Sequence, residues 1–136
     1  SRALVEHLKF AGPGFLYSVG MAPPVAAAAR AALELMRREP ERVRRLQAVG
    51  QRFLEKTRSV GIDTGTSTGL AIVPAITGSS MRAVRLANRL FDNGVNVQPI
   101  VYPAVGEKAA RLRFFLSAEH TEEDIDKTVD CLAQAW

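Results

Sequence analysis

The sequence predicts an α+β domain in which a small antiparallel-type sheet is covered by helices on one face. Three observations predict it. Residues 111–117 alternate Leu112, Phe114 and Leu116 with Arg111, Arg113, Phe115 and Ser117, which is the period of a half-buried strand. Val43, Leu46, Val49, Gly50, Phe53 and Leu54 recur at helical spacing with arginines on the opposite face. Short apolar runs then alternate with helical patterns, giving the order helix, helix, strand, helix, strand, strand, helix.

Taken in order, residues 2–10 read as the end of a helix with Leu4, Val5 and Leu8 on one side, and Ala11-Gly12-Pro13-Gly14 breaks it. Residues 15–21 are short and apolar, and predict a buried strand or an extended crossing. Pro23 and Pro24 stop that extension, and Pro24 suits the first turn of an alanine-rich helix over residues 25–38. Pro40 predicts a kink or a restart, and the following helix runs to about Val60, with Gly61 as its stop. Residues 63–69 are a polar loop. Residues 70–76 form a buried strand that Pro74 confines to an edge or a bulge. Ser79 or Ser80 caps a helix carrying Ala83, Leu86, Ala87, Leu90 and Phe91, and Asn93-Gly94 closes it. Two strands flank the loop Tyr102-Pro103-Ala104-Val105-Gly106. A last helix begins at Thr121, with Asp124 at its third position in a relative of the capping box.

A length of 136 residues with 47% hydrophobic and 24% charged residues fits one soluble domain. No apolar run reaches the roughly 18 to 20 residues that cross a bilayer. The single cysteine, Cys131, excludes a disulfide within the chain, which fits a cytoplasmic setting. The net charge of +4 is concentrated in residues 37–58. Glutamates are interleaved there and no aromatic residues alternate with the basic ones, so a solvated face with i,i+4 pairs is expected rather than a nucleic-acid surface. The opening on Ser1, without an initiator methionine, is what a piece of a longer chain would show.

The residues contain no self-sufficient catalytic set. His7 and His120 belong to no metal-binding spacing, and no nucleophile elbow, P-loop or dinucleotide fingerprint occurs. Arg111 and Arg113 share the polar face of their strand. A guanidinium held on a strand can fork onto a carboxylate or phosphate, or simply stand as a solvated edge charge, and spacing leaves both readings open.

Five ordered motifs then resemble one family. They are Phe15-Leu16-Tyr17-Ser18 with Met21 and Pro23-Pro24; Asn93-Gly94-Val95-Asn96-Val97-Gln98-Pro99-Ile100; Tyr102-Pro103-Ala104-Val105; Ala110-Arg111-Leu112-Arg113; and Ser117-Ala118-Glu119-His120-Thr121-Glu122-Glu123-Asp124-Ile125. Together they are similar to the C-terminal third of the α-oxoamine synthases, fold type I enzymes that use pyridoxal phosphate. That group includes 8-amino-7-oxononanoate synthase and serine palmitoyltransferase.

The resemblance implies a portion of an enzyme that condenses an amino acid with an acyl thioester, carried on coenzyme A or acyl carrier protein, with loss of carbon dioxide. It implies residues 1–24 as the end of the large domain with a crossing segment, and 25–136 as the C-terminal small domain. It places the lysine that bonds the cofactor upstream of Ser1. The isolated chain is therefore expected to carry no catalytic residue, to hold no cofactor of its own and to be inactive, with the remainder of the polypeptide as its partner in a homodimer. Arg113 takes the carboxylate-binding role and Arg111 a structural one. Ser18, Val19 and Gly20 fall where relatives contact the cofactor phosphate across the dimer. Val19 offers no hydroxyl, so either Ser18 or main-chain amides serve there or the contact is lost. This Val-Gly version resembles synthase domains on polyketide-type chains. The alternative of another class is a stand-alone amino-acid-binding or regulatory α+β module.

Overall fold

A computed structural model describes residues 1–18 and 20–136, at backbone level for Leu16 and Tyr17. It contains two compact units, Ser1–Arg38 and Glu39–Trp136. This division falls after the alanine-rich helix, whereas the expected one, at residue 24, falls before it.

The first unit contains α1 (Arg2–Ala11), α2 (Pro13–Tyr17) and α3 (Pro23–Arg38). The Ser1 hydroxyl caps α1 by accepting from the Leu4 amide (3.3 Å). The expected strand or crossing over residues 15–21 is corrected in its first half, because Phe15 and its neighbours close α2 and extended backbone begins only at Ser18 (φ −100°, ψ 152°). Pro13 explains this, since its ring presets the helical φ at the first position, and a short apolar run has no period long enough to oppose it. Neither α1 nor α3 contains a buried residue.

The second unit begins with α4 (Pro40–Ser59), so Pro40 restarts the helix. Gly61 follows it at φ +78°, a conformation that glycine adopts at little cost. Three strands, β1 (Ile72–Ile76), β2 (Gln98–Ile100) and β3 (Arg111–Phe115), form an antiparallel sheet in the order β1-β3-β2. The two outer strands each contain a proline, Pro74 and Pro99, where a missing N–H costs no central ladder bond. Between the strands lies α5 (Ser80–Asp92), whose cap Ser79 accepts from the Arg82 amide. The chain closes with α6 (Glu122–Ala135).

One face of the sheet is covered. Val73 stands opposite Phe114 and Ala75 opposite Leu112, all of them buried. Phe53 of α4 meets Phe114 with ring centroids 4.9 Å apart. Leu90 of α5 and Leu132 of α6 complete a continuous core. Burying each such side chain contributes about 1.5–3 kcal/mol, which this unit needs for its cohesion.

The start of α6 is a full capping box. The Thr121 hydroxyl accepts from the Asp124 amide (3.1 Å), and the Asp124 carboxylate accepts from the Thr121 amide (2.9 Å). Thr121→Ala should therefore cost about 1 kcal/mol in chemical denaturation. A change near zero would mean that α6 is held by its core face alone.

The ion pairs of α4 differ from the expected i,i+4 pattern. Arg42 pairs with Glu39 one turn back and with Glu119, while Arg52 reaches Glu122 and Asp126 and Lys56 reaches Asp126 (2.7 Å). The basic face thus bridges α4 to α6. Arg52 grips Asp126 bidentately (2.9 and 2.8 Å), and that hydrogen bonding, with Lys56, holds the carboxyl far below its ordinary value of 3.8. A carboxyl depressed in the folded state contributes stability that is present above the unfolded value, near 4, and is lost as pH falls through the folded one. Asp126→Asn should flatten the loss of stability in urea melts below about pH 4. An unchanged acid limb would show that the bridge is not coupled to folding.

Candidate functional site

The strand β3 is central, so neighbours on both sides fix its main chain. Its solvent face carries Arg111, Arg113 and Phe115, as the alternation predicts. The register places Arg113 between Pro74 of β1 and Gln98 of β2, and Arg111 between Ile76 and Ile100. Directly opposed residues share a face, so Arg113 projects from the open side of the sheet with Gln98 beside it. Its guanidinium carbon lies 4.9 Å from the centroid of the Phe115 ring, a contact that steadies the fork without using its donors. Among the described residues Arg113 forms no ion pair and donates no hydrogen bond. A charged fork in that state is a ready partner for a planar anion.

Arg111 differs. It is half-buried and its Nε donates to the Ala109 carbonyl (2.8 Å), which ties the side chain back to the preceding turn.

Because β2 is only three residues long and ends opposite Arg113, the edge of β3 beyond that point is uncovered. A groove of about 460 Å³ opens there, and Asn96, Gln98, Arg113, Phe115, His120 and Lys127 are among its walls. The His120 Nδ1 accepts from the Ser117 amide (3.1 Å), so this ring braces the turn that leads to α6. Asp124, on the same rim, is kept ionised below its ordinary range by the Thr121 amide and hydroxyl. The sequence assigns Asn96, Gln98 and Lys127 no role at a site, although Asn96 and Gln98 stand in one of the five motifs. Gln98 comes beside Arg113 only through the strand register, for which a single sequence carries no signal.

The loop that joins β2 to β3 is anchored at its ends. The Glu107 carboxylate accepts from the Ser80 hydroxyl (2.5 Å) and amide (2.8 Å), and the Ser80 hydroxyl oxygen accepts from the Tyr102 amide (3.2 Å). The Ser80 hydroxyl, then its amide, hold the Glu107 carboxyl below its usual range.

In the first unit, Ser18 and Gly20 are exposed after α2, and a Cβ added at Gly20 would meet no atom within 4 Å. Val19, the third of the expected cofactor contacts, lies outside the described residues. Among the described residues, no group of three or more His, Cys, Asp or Glu side chains could hold a metal ion. No helix among them is long and apolar enough to cross a membrane.

The profile of the family described as aminotransferase class I and II matches residues 1–132. The 8-amino-7-oxononanoate synthase of Symbiobacterium thermophilum is 41% identical over 133 residues, which are 98% of this chain and 34% of that protein. The protein of that name from Thermoanaerobacter pseudethanolicus is 38% identical over 125 residues, 92% of this chain and 31% of its own length. The chain thus spans about a third of the length of the curated relatives it matches. Among solved structures, Sphingomonas wittichii serine palmitoyltransferase superposes with a TM-score of 0.85 at 22% identity, covering 96% of this chain and 33% of that one. At that identity the likeness is one of fold.

Proposed function

The chain belongs to the aminotransferase class I and II family, and we propose that it is the C-terminal portion of a pyridoxal-phosphate-dependent acyltransferase of the α-oxoamine synthase type. In this reading residues 1–24 end the large domain and 25–136 form the small domain. The complete protein is a cytoplasmic homodimer that joins an amino acid to the acyl group of a thioester, whether free-standing or part of a polyketide-type chain. The amino acid loses its carboxylate as carbon dioxide, its Cα bonds to the acyl carbon, and the thiol of coenzyme A or of an acyl carrier protein leaves with a proton.

The observation that carries the reading is Arg113, a guanidinium without an ion-pair partner among the described residues, on the central strand at the rim of a groove. Bidentate binding of the amino-acid carboxylate fixes the orientation of the Cα bonds, so that the scissile one is held in a single direction. Phe115 keeps the guanidinium plane in place, and Gln98 offers a further amide beside it. The Ser18 hydroxyl and the Gly20 amide are donors of the kind a phosphate accepts, and the open space around Gly20 lets an anion approach the main chain. These residues fit the phosphate end of pyridoxal phosphate. When bound, that cofactor supplies the electron-withdrawing ring that stabilises negative charge at Cα. This chain's residues bind and orient, and its own lysines are not assigned to the chemistry, so the isolated chain is inactive.

The test is thiol release by the full-length protein, supplied with pyridoxal phosphate, a panel of amino acids and acyl thioesters. Release that requires both an amino acid and a thioester supports the reading. Amino-group transfer to a 2-oxo acid without thiol release would replace it with a transaminase.

A further inference from the structure

Helix α5 carries two stripes outside the core that the site does not use. Its buried side is Ala83, Leu86, Ala87 and Leu90. Met81, Val84, Asn88 and Phe91 recur at i, i+3, i+7 and i+10 away from that side, and all four are exposed, Met81 by 60% and Phe91 by 65%. That spacing is the seam by which one helix packs along another. Three of its positions are apolar, and Asn88 is a single polar one, of the kind that sets register between paired helices. A row of arginines, Arg82, Arg85 and Arg89, flanks the seam along one side over about 10 Å of helix. None of the three forms an ion pair among the described residues, in contrast to Arg52, which bridges α4 to α6.

Two of these arginines are held in place by main-chain oxygens at the end of α6. The Arg82 Nη2 donates to the Trp136 main-chain oxygen (2.9 Å), and its guanidinium stands 4.5 Å from the Trp136 ring. The Arg89 Nη1 donates to the Ala135 oxygen (3.3 Å). An exposed, mostly apolar seam beside pre-positioned arginines that pair with no acidic side chain among the described residues is a surface suited to a complementary partner.

We propose that the outer face of α5 is a docking surface for an acidic amphipathic helix of a protein partner. The partner's apolar side chains would lie along Met81, Val84 and Phe91, a polar side chain opposite Asn88, and its carboxylates along the arginine row. A second copy of the same face is a poor occupant, because antiparallel packing of two such helices sets arginines against arginines. A bilayer surface favours a broad apolar face with basic residues on both sides. Here the apolar stripe is narrow and broken by the Asn88 amide, and the arginines flank one side only.

The test uses the full-length protein and two labelled helical peptides of about 14 residues, long enough to cover α5. Both have leucine at seam positions, with one asparagine to meet Asn88, and the flanks are glutamate in one and lysine in the other. By fluorescence anisotropy the glutamate peptide should bind at least about tenfold more tightly than the lysine peptide, and the gap should narrow as salt screens the charges. Phe91→Ser, with Met81→Ser as a second variant should the first fail to fold by circular dichroism, should weaken binding about tenfold. Arg85→Glu combined with Arg89→Glu should reverse the preference in favour of the lysine peptide. Equal binding of the two peptides, an unaltered affinity in the seam variants, or binding only to phosphatidylglycerol vesicles would overturn the proposal.

Discussion

Replacing Arg113 with alanine in the full-length protein should weaken amino-acid binding by about 2–5 kcal/mol, the scale for losing one partner of a desolvated charge pair. In affinity this is about 30-fold to several thousand-fold. Arg113 is the exposed guanidinium of β3 and has no ion-pair partner among the described residues, so in the proposed reading its deletion removes a ligand contact and little else. Arg113→Lys should fall between the two, since an ammonium offers a point charge without the planar fork. Arg111→Ala is the internal control. That side chain is committed to the Ala109 carbonyl, so its loss should leave the dissociation constant within about threefold, with at most a modest stability change. Calorimetric titration of each variant with the preferred amino acid reads all three constants. Equal losses for the two alanine variants would mean that the carboxylate is bound elsewhere.

The second large effect falls on the fold. Gly50→Ala should destabilise the protein by about 3 kcal/mol or more, seen as a shift of the urea midpoint. A methyl at position 50 would overlap the carbonyl oxygens of Gly69 and Leu70, which are main-chain atoms and cannot swing aside. The Gln51 amide donates to the Thr68 carbonyl (2.6 Å), pinning the same loop to α4. Gly69, at φ +71°, shapes that loop for the close approach. Helix propensity alone points the other way, because alanine in a helix interior is favoured over glycine by about 1 kcal/mol. The sign of the measured change therefore separates packing from propensity. A stabilised variant would mean that the loop sits further from α4 than described.

Gly50 also marks where a sequence stops being informative. Within the helical pattern of α4 it reads as one more small residue on the apolar face, and only the tertiary contact reveals the constraint. What is periodic or capped locally was legible: the alternation of β3, the start of α6 at Thr121 and Asp124, the restart at Pro40 and the edge position of Pro74. Residues 15–17 differ from the expected strand because a run of that length satisfies a strand and a helical turn equally, and Pro13 decides between them. Arg52 and Lys56 of α4 find their acids across space on α6, which no i,i+4 count can anticipate. At the site, spacing left Arg111 and Arg113 equivalent, and the resemblance alone separated them. In the structure Arg111 is half-buried and tethered, whereas Arg113 is exposed and forms no ion pair among the described residues.

The central claim is that the complete protein joins an amino acid to an acyl group with loss of the carboxylate that Arg113 holds. The measurement that tests it most directly follows carbon from a carboxyl-labelled amino acid during turnover by the full-length protein. Labelled carbon dioxide should appear in a one-to-one ratio with released thiol, only when an acyl thioester is present, and both should drop together in Arg113→Ala. Label retained in an acylated product, or carbon dioxide released without any thioester, would contradict the account.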